Sequence, residues 1–185
     1  MHHTLRTAAA AALLFAAAAV SLTAGAIEYP IGTPQQREGM EIVAVYLQPV
    51  TMEPEKMMAS PAQSDIHLEA DIHALADNRN GFGEGAWIPY LTVEYHLAKQ
   101  GAPGKIAGTL MPMVASDGPH YGENLKLKGP GKYRLTLRIS PPNTDGGHAQ
   151  FGRHTDRLTG VGPWFKPFEL MFEFTFAGIG KKGSY

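Results

Sequence analysis

Apolar and polar residues alternate strictly along several stretches of this chain. In "DIHLEADIHA", Asp65 to Ala74, the apolar positions are Ile66, Leu68, Ala70, Ile72 and Ala74, and the positions between them are Asp65, His67, Glu69, Asp71 and His73. A period of two marks a β-strand with one face in a core. "MEIVAVYL", Met40 to Leu47, is an apolar strand that ends before Pro49. "IPYLTVEYHLAK" turns Leu91, Val93, Tyr95 and Leu97 inward, and "GKIAGTLMPMVAS" is a further strand. "GKYRLTLRIS" places Tyr133, Leu135, Leu137 and Ile139 on one face, and "KPFELMFEFTFAG" does the same with Phe168, Leu170, Phe172, Phe174 and Phe176. Between them lie a Met-rich connection, "VTMEPEKMMASPAQS", a Gly-rich turn, "NRNGFGEGAW", and a loop, "DGPHYGEN". About seven strands separated by turn residues predict an all-β, two-sheet antiparallel sandwich.

The beginning of the chain breaks this pattern. "MHHTLRTAAAAALLFAAAAVSLTAGA" has one cation, Arg6, then an apolar run, then Ala24-Gly25-Ala26. These are the charged region, hydrophobic region and cleavage site of a secretory signal peptide. Residues 1–26 are therefore expected to be removed, leaving 27–185 as one β-sandwich domain in the periplasm. The run lacks the polar stripe of an amphipathic helix, and no Cys follows it for a lipid anchor. No second span of membrane length follows, so the mature chain is expected to have no membrane anchor.

Composition removes several classes of function. The chain has 16 basic and 17 acidic side chains, so nothing points to nucleic acid. Cysteine is absent, which leaves an exported fold without disulfides and any metal site without thiolates. Neither a GxSxG elbow nor a phosphate loop occurs, so hydrolytic chemistry is not indicated.

Histidine and methionine remain. Beyond the leader the His residues are His67, His73, His96, His120, His148 and His154. His96, among Thr92 and Glu94, reads as ordinary surface, and Met40 and Met171 read as packing. Met52, Met57 and Met58 either collect a soft metal or belong to a loop folded over apolar surface. His67 and Glu69 share a strand face with Cβ atoms about 6.5–7 Å apart, which suits one ligand with a neighbouring second. Met111 and Met113 share another face, and His120 follows in a Gly-Pro turn. Thioether with imidazole and no thiolate suits copper, while Glu69, Asp71 and Asp117 offer oxygens that iron or manganese accepts.

Five longer motifs, "GMEIVAVYLQPV", "DIHLEADIHAL", "GFGEGAWIPYLTVEYHL", "GTLMPMVASDGPHYG" and "FGRHTDRLTGVGPWFKPF", together resemble the periplasmic iron-transport protein family. Its members are copper-binding, iron-regulated proteins encoded beside a high-affinity iron permease. The resemblance runs from about Glu28 to Phe176. It implies an immunoglobulin-like β-sandwich homodimer with copper near the subunit interface. The implied copper ligands are His67, Met113, His120 and His154, and Glu69 is implied in an adjoining metal position. His148 matches no family motif and reads as solvated loop or a peripheral ligand.

The function expected on this basis is a periplasmic copper- and iron-binding component of an iron uptake system, with manganese a surrogate for iron. Its partner is an inner-membrane iron permease, and it is not an enzyme unless copper-linked iron redox chemistry makes it one. The alternative is copper scavenging or tolerance without an iron step.

Overall fold

The computed structural model describes residues 27–143 and 151–180. Its strands are β1 (Tyr29–Pro30), β2 (Gln35–Arg37), β3 (Met40–Leu47), β4 (Ile66–Ala74), β5 (Thr92–Lys99), β6 (Lys105–Ala115), β7 (Gly118–Leu125), β8 (Gly131–Ser140) and β9 (Phe168–Phe176), with a single 3-10 turn at Pro61–Gln63. Every pairing is antiparallel, and the strand order is β1-β3-β4-β7-β6-β5-β8-β9, with β2 also on β3. No helix among the described residues is long and apolar enough to cross a membrane. Residues 1–26, expected to be a leader, and His148 lie outside the described residues.

One strand belongs to both sheets. The first half of β6, Lys105 to Leu110, pairs with β5, while the second half, Met111 to Ala115, pairs with β7. Pro112 falls in the second half, which β5 no longer flanks. A residue without an N–H is tolerated in such an edge position. The result is an all-β, immunoglobulin-like antiparallel sandwich.

The alternation identified in the sequence fills its centre. Ile66, Leu68, Ala70 and Ile72 of β4 and Tyr133, Leu135, Leu137 and Ile139 of β8 are all fully buried, at 0% exposure. Tyr46 of β3 reaches across to Phe174 and Phe176 of β9, with ring centroids 5.4 and 6.1 Å apart. Full burial of each large aliphatic side chain here is worth about 1.5–3 kcal/mol.

Three expectations change. "DGPHYGEN" is no loop: from Gly118 it forms most of β7, a central strand. Its Gly, Pro and Asn residues argue against a strand locally, but hydrogen-bonded neighbours on both sides, β4 and β6, override that preference. β5 starts at Thr92 rather than Ile88, because Tyr90 takes a left-handed φ of 62° after Pro89. Met171 is not packing: it lies between two inward residues of β9 and is 65% exposed.

Candidate metal centre

The site follows from register on three adjacent strands. His67 of β4 lies opposite Asn124 of β7, and Glu69 opposite Gly122. On the other side of β7, Gly122 lies opposite Met111 of β6, and His120 opposite Met113. Directly paired residues share a sheet face, so His67, Glu69, His120, Gly122, Asn124, Met111 and Met113 form one patch. A tight hairpin joins β6 to β7, with Ala115 paired to Gly118 around Ser116-Asp117, and brings Met113 and His120 together.

Gly122 is the centre of this patch. A Cβ there would lie 2.6 Å from His67 Nε2 and 3.0 Å from Met113 Sδ. Both distances are below van der Waals contact, so the imidazole and the thioether converge on the space that this glycine leaves open. Donor atoms of His67, Glu69 and His120 all lie within 4.8 Å of one another. These three side chains are buried, and His67 is completely so.

Asn124 fixes which nitrogen of His67 faces that space. Its amide nitrogen donates to the carbonyls of Val50 and Ala59, both at 2.8 Å. Its oxygen accepts from the Val50 N–H at 3.1 Å and lies 3.0 Å from His67 Nδ1. Nδ1 must therefore carry the proton, and Nε2 is left with a free lone pair. Nε2 is buried without a hydrogen-bond partner. An unpartnered buried nitrogen is costly unless something else occupies its lone pair, and a metal ion answers that need. Two imidazoles, a thioether and a carboxylate fit copper.

Glu69 stands between two environments. Its Oε1 is 3.5 Å from His67 Nε2 and 3.3 Å from His120 Nε2. These are ion-pair distances, yet burial pushes the His67 imidazole down to about 4 and the Glu69 carboxyl up to about 8, so that pair is neutral near pH 7. The charges of Asp71, Glu28 and Asp117 push Glu69 further in the same direction. Glu69 also lines an open cavity of about 360 Å³ with Glu28, Asp71, His73, Asp117 and His120. Burial, then the charges of Asp71 and Asp117, then a hydrogen bond to Asp117 raise Glu28 as well. Carboxyl groups held together at this cost suit a hard cation.

The structure unites four of the five expected ligands, His67, Met113, His120 and Glu69. His154 stands apart, in the segment between β8 and β9, with its side chain 74% exposed. The Thr159 hydroxyl donates to Asp156 Oδ2 at 2.6 Å and lies 2.7 Å from His154 Nδ1. It therefore accepts the Nδ1 proton and leaves Nε2 of His154 free toward solvent. Asp65 holds the end of β4 through Lys126 Nζ at 2.6 Å and the Leu127 N–H at 2.8 Å. His73 reaches the acidic cavity, and His96 sits half-buried on β5. Sequence reasoning missed Gly122 and Asn124. The alternation His120, Gly122, Asn124 in "PHYGEN" was the available signal, hidden because the segment read as a loop.

Known proteins resemble this chain at high identity. The chain is 59% identical to a UPF0423 protein of Brucella abortus over 167 residues, 90% of this chain and 91% of that one. It matches the crystal structure of FetP from uropathogenic E. coli strain F11, recombinantly expressed in the E. coli periplasm, at 52% identity and a TM-score of 0.77, covering 84% of this chain and 100% of that one. It matches copper-reconstituted P19 of Campylobacter jejuni at 51% identity and a TM-score of 0.78, covering 83% and 99%. The model of the iron-transport family, described as Fe2+ transport protein, matches residues 25–178, and the chain belongs to that family.

Proposed function

We propose that this chain is a periplasmic protein, freed from a leader at residues 1–26, that holds copper and carries iron to an inner-membrane permease. The observation that carries the reading is the free lone pair of His67 Nε2, aimed with Met113 Sδ at the space over Gly122. His67, Met113 and His120 would hold the copper, with Glu69 beside them. His154, exposed with its Nε2 free, would join from a second copy in a homodimer. A copper-bound variant of FetP and copper-reconstituted P19 support the choice of ion.

Iron is the cargo, received by the carboxylates of Glu69, Asp71, Glu28 and Asp117 with His73 at the wall. Manganese would act as its surrogate there. Glu69 gives up its proton when a cation arrives and lies against both groups of donors, so it connects them. Bound copper would supply one-electron chemistry to iron, since thioether favours Cu(I) and imidazole suits Cu(II). A copper store without an iron step would leave the acidic cavity without a role.

Titration with copper and iron tests the sites separately. Met113→Ile should weaken copper binding and leave iron uptake by the carboxylates in place; unchanged copper affinity would overturn the assignment. Anaerobic mixing of the copper-loaded protein with Fe(II) should alter the copper absorbance, and an unchanged spectrum counts against redox coupling. A deletion strain should grow poorly under iron limitation, whereas copper sensitivity alone would favour tolerance.

A further inference from the structure

The loop between β3 and β4 carries three methionines that the centre does not use, Met52, Met57 and Met58. They are not folded over the sandwich: none belongs to the apolar core or to the partly buried residues packed on it. All three line one surface cavity of about 420 Å³, and Met57 is 49% exposed. No imidazole lines this cavity, so its donors differ in kind from those of the centre. Neutral thioethers are poor partners for hard cations and good ones for Cu(I).

The loop is also held in place. The Asn124 amide bonds Val50 at one end of the methionine segment and Ala59 at the other, each through a carbonyl at 2.8 Å. The same side chain accepts from His67. The cavity is thus pinned at both ends by a buried residue that also orients a ligand of the centre.

We propose that this loop is a second metal site, selective for Cu(I), with Met52, Met57 and Met58 as its thioether donors. Association of a monovalent ion with neutral sulfurs releases no proton and moves no electron. That the site serves the centre through Asn124 rests on the copper reading above; that it binds Cu(I) does not.

Anaerobic titration of the purified protein with Cu(I), against a chromogenic Cu(I) chelator, reads the stoichiometry. The wild type should take about two ions per chain. The variant with Met52→Leu, Met57→Leu and Met58→Leu should take about one, with its Cu(II) binding unchanged. Leu nearly conserves volume in an exposed loop, so folding is preserved. Silver(I), a redox-inert probe, should shift the ε-methyl NMR signals of all three residues. Wild-type Cu(I) stoichiometry in the loop variant, or methyl signals unmoved by silver, would overturn the site. Should the centre be the mistaken part, Gly122→Ala would match the wild type while the loop variant lost its only Cu(I).

Discussion

Strands β4 and β9 carry the same binary pattern and do opposite things with it. In β9 the outward residues Glu169, Met171, Glu173 and Thr175 are exposed, and Glu173 pairs with Arg134 of β8 at 2.9 Å, both partners more than half exposed. In β4 the corresponding positions His67 and Glu69 are buried, and Asp71 and His73 are half-buried. Water satisfies the polar face of β9. On β4 it is largely excluded, so each polar atom needs a protein partner or a ligand. The lesson is that alternation assigns faces, whereas function depends on which polar face the rest of the chain covers.

The sharpest way to break this contrast is Gly122→Ala. Its backbone suits alanine, but the added carbon intrudes on His67 Nε2 and Met113 Sδ. Copper affinity should fall by at least ~100-fold, more than loss of an outer partner costs, in a chain whose circular dichroism is unchanged. Wild-type affinity would show that the donors do not converge over this glycine.

Asn124 comes next. Asn124→Ala should lower copper affinity about 10–100-fold, and cost roughly 1–3 kcal/mol from polar groups left unpaired. Asn124→Asp keeps an acceptor for the His67 proton but loses both donors to the loop. It should restore much of the affinity and keep His67 as the Nδ1–H tautomer by nitrogen NMR. Equal loss in both variants would leave Asn124 a purely structural residue.

A smaller effect lies in pH. In the metal-free protein Glu69 stays protonated to about 8, against an ordinary value of 4.5, so the folded chain binds the extra proton and stability falls as pH rises through that window. His67 works the other way: its imidazole resists protonation down to about 4, against 6.5, so stability falls as pH drops from 6.5 towards 4. The opposing slopes overlap between 4.5 and 6.5, and above 6.5 Glu69 acts without His67. The Tm of metal-free wild type should drop between pH 6.5 and 8, and Glu69→Gln should flatten that decline. An equal decline in the variant would place the titration elsewhere.

The smallest change should come from β8 and β9. Arg134→Ala removes an exposed pair worth ~0.2–1 kcal/mol and should leave copper binding untouched. A change in metal affinity would mean that the two faces are not independent.

The same contrast explains what was legible in the sequence. The inward positions of β4, β5, β8 and β9 could be read because the period of two is local. Met113 and His120 could be related because a short hairpin joins them. Gly122 could not, since a missing side chain matters only once both neighbouring strands are in register. Asn124 escaped for a similar reason: its partners Val50 and Ala59 lie 74 and 65 residues away. His154 was named by resemblance alone, and its own chain leaves it at the surface.

The strand shared between layers has a consequence for how an ion would leave. His67 is paired on both sides, with Leu47 of β3 and Asn124 of β7, whereas Met113 sits on the stretch of β6 that has β7 alone beside it. That stretch should open more readily, with faster amide exchange from Met111 to Ala115 than from His67 to Ala70, which pair on both sides. Release can then begin at the sulfur by a brief local opening while the His67 nitrogen stays seated.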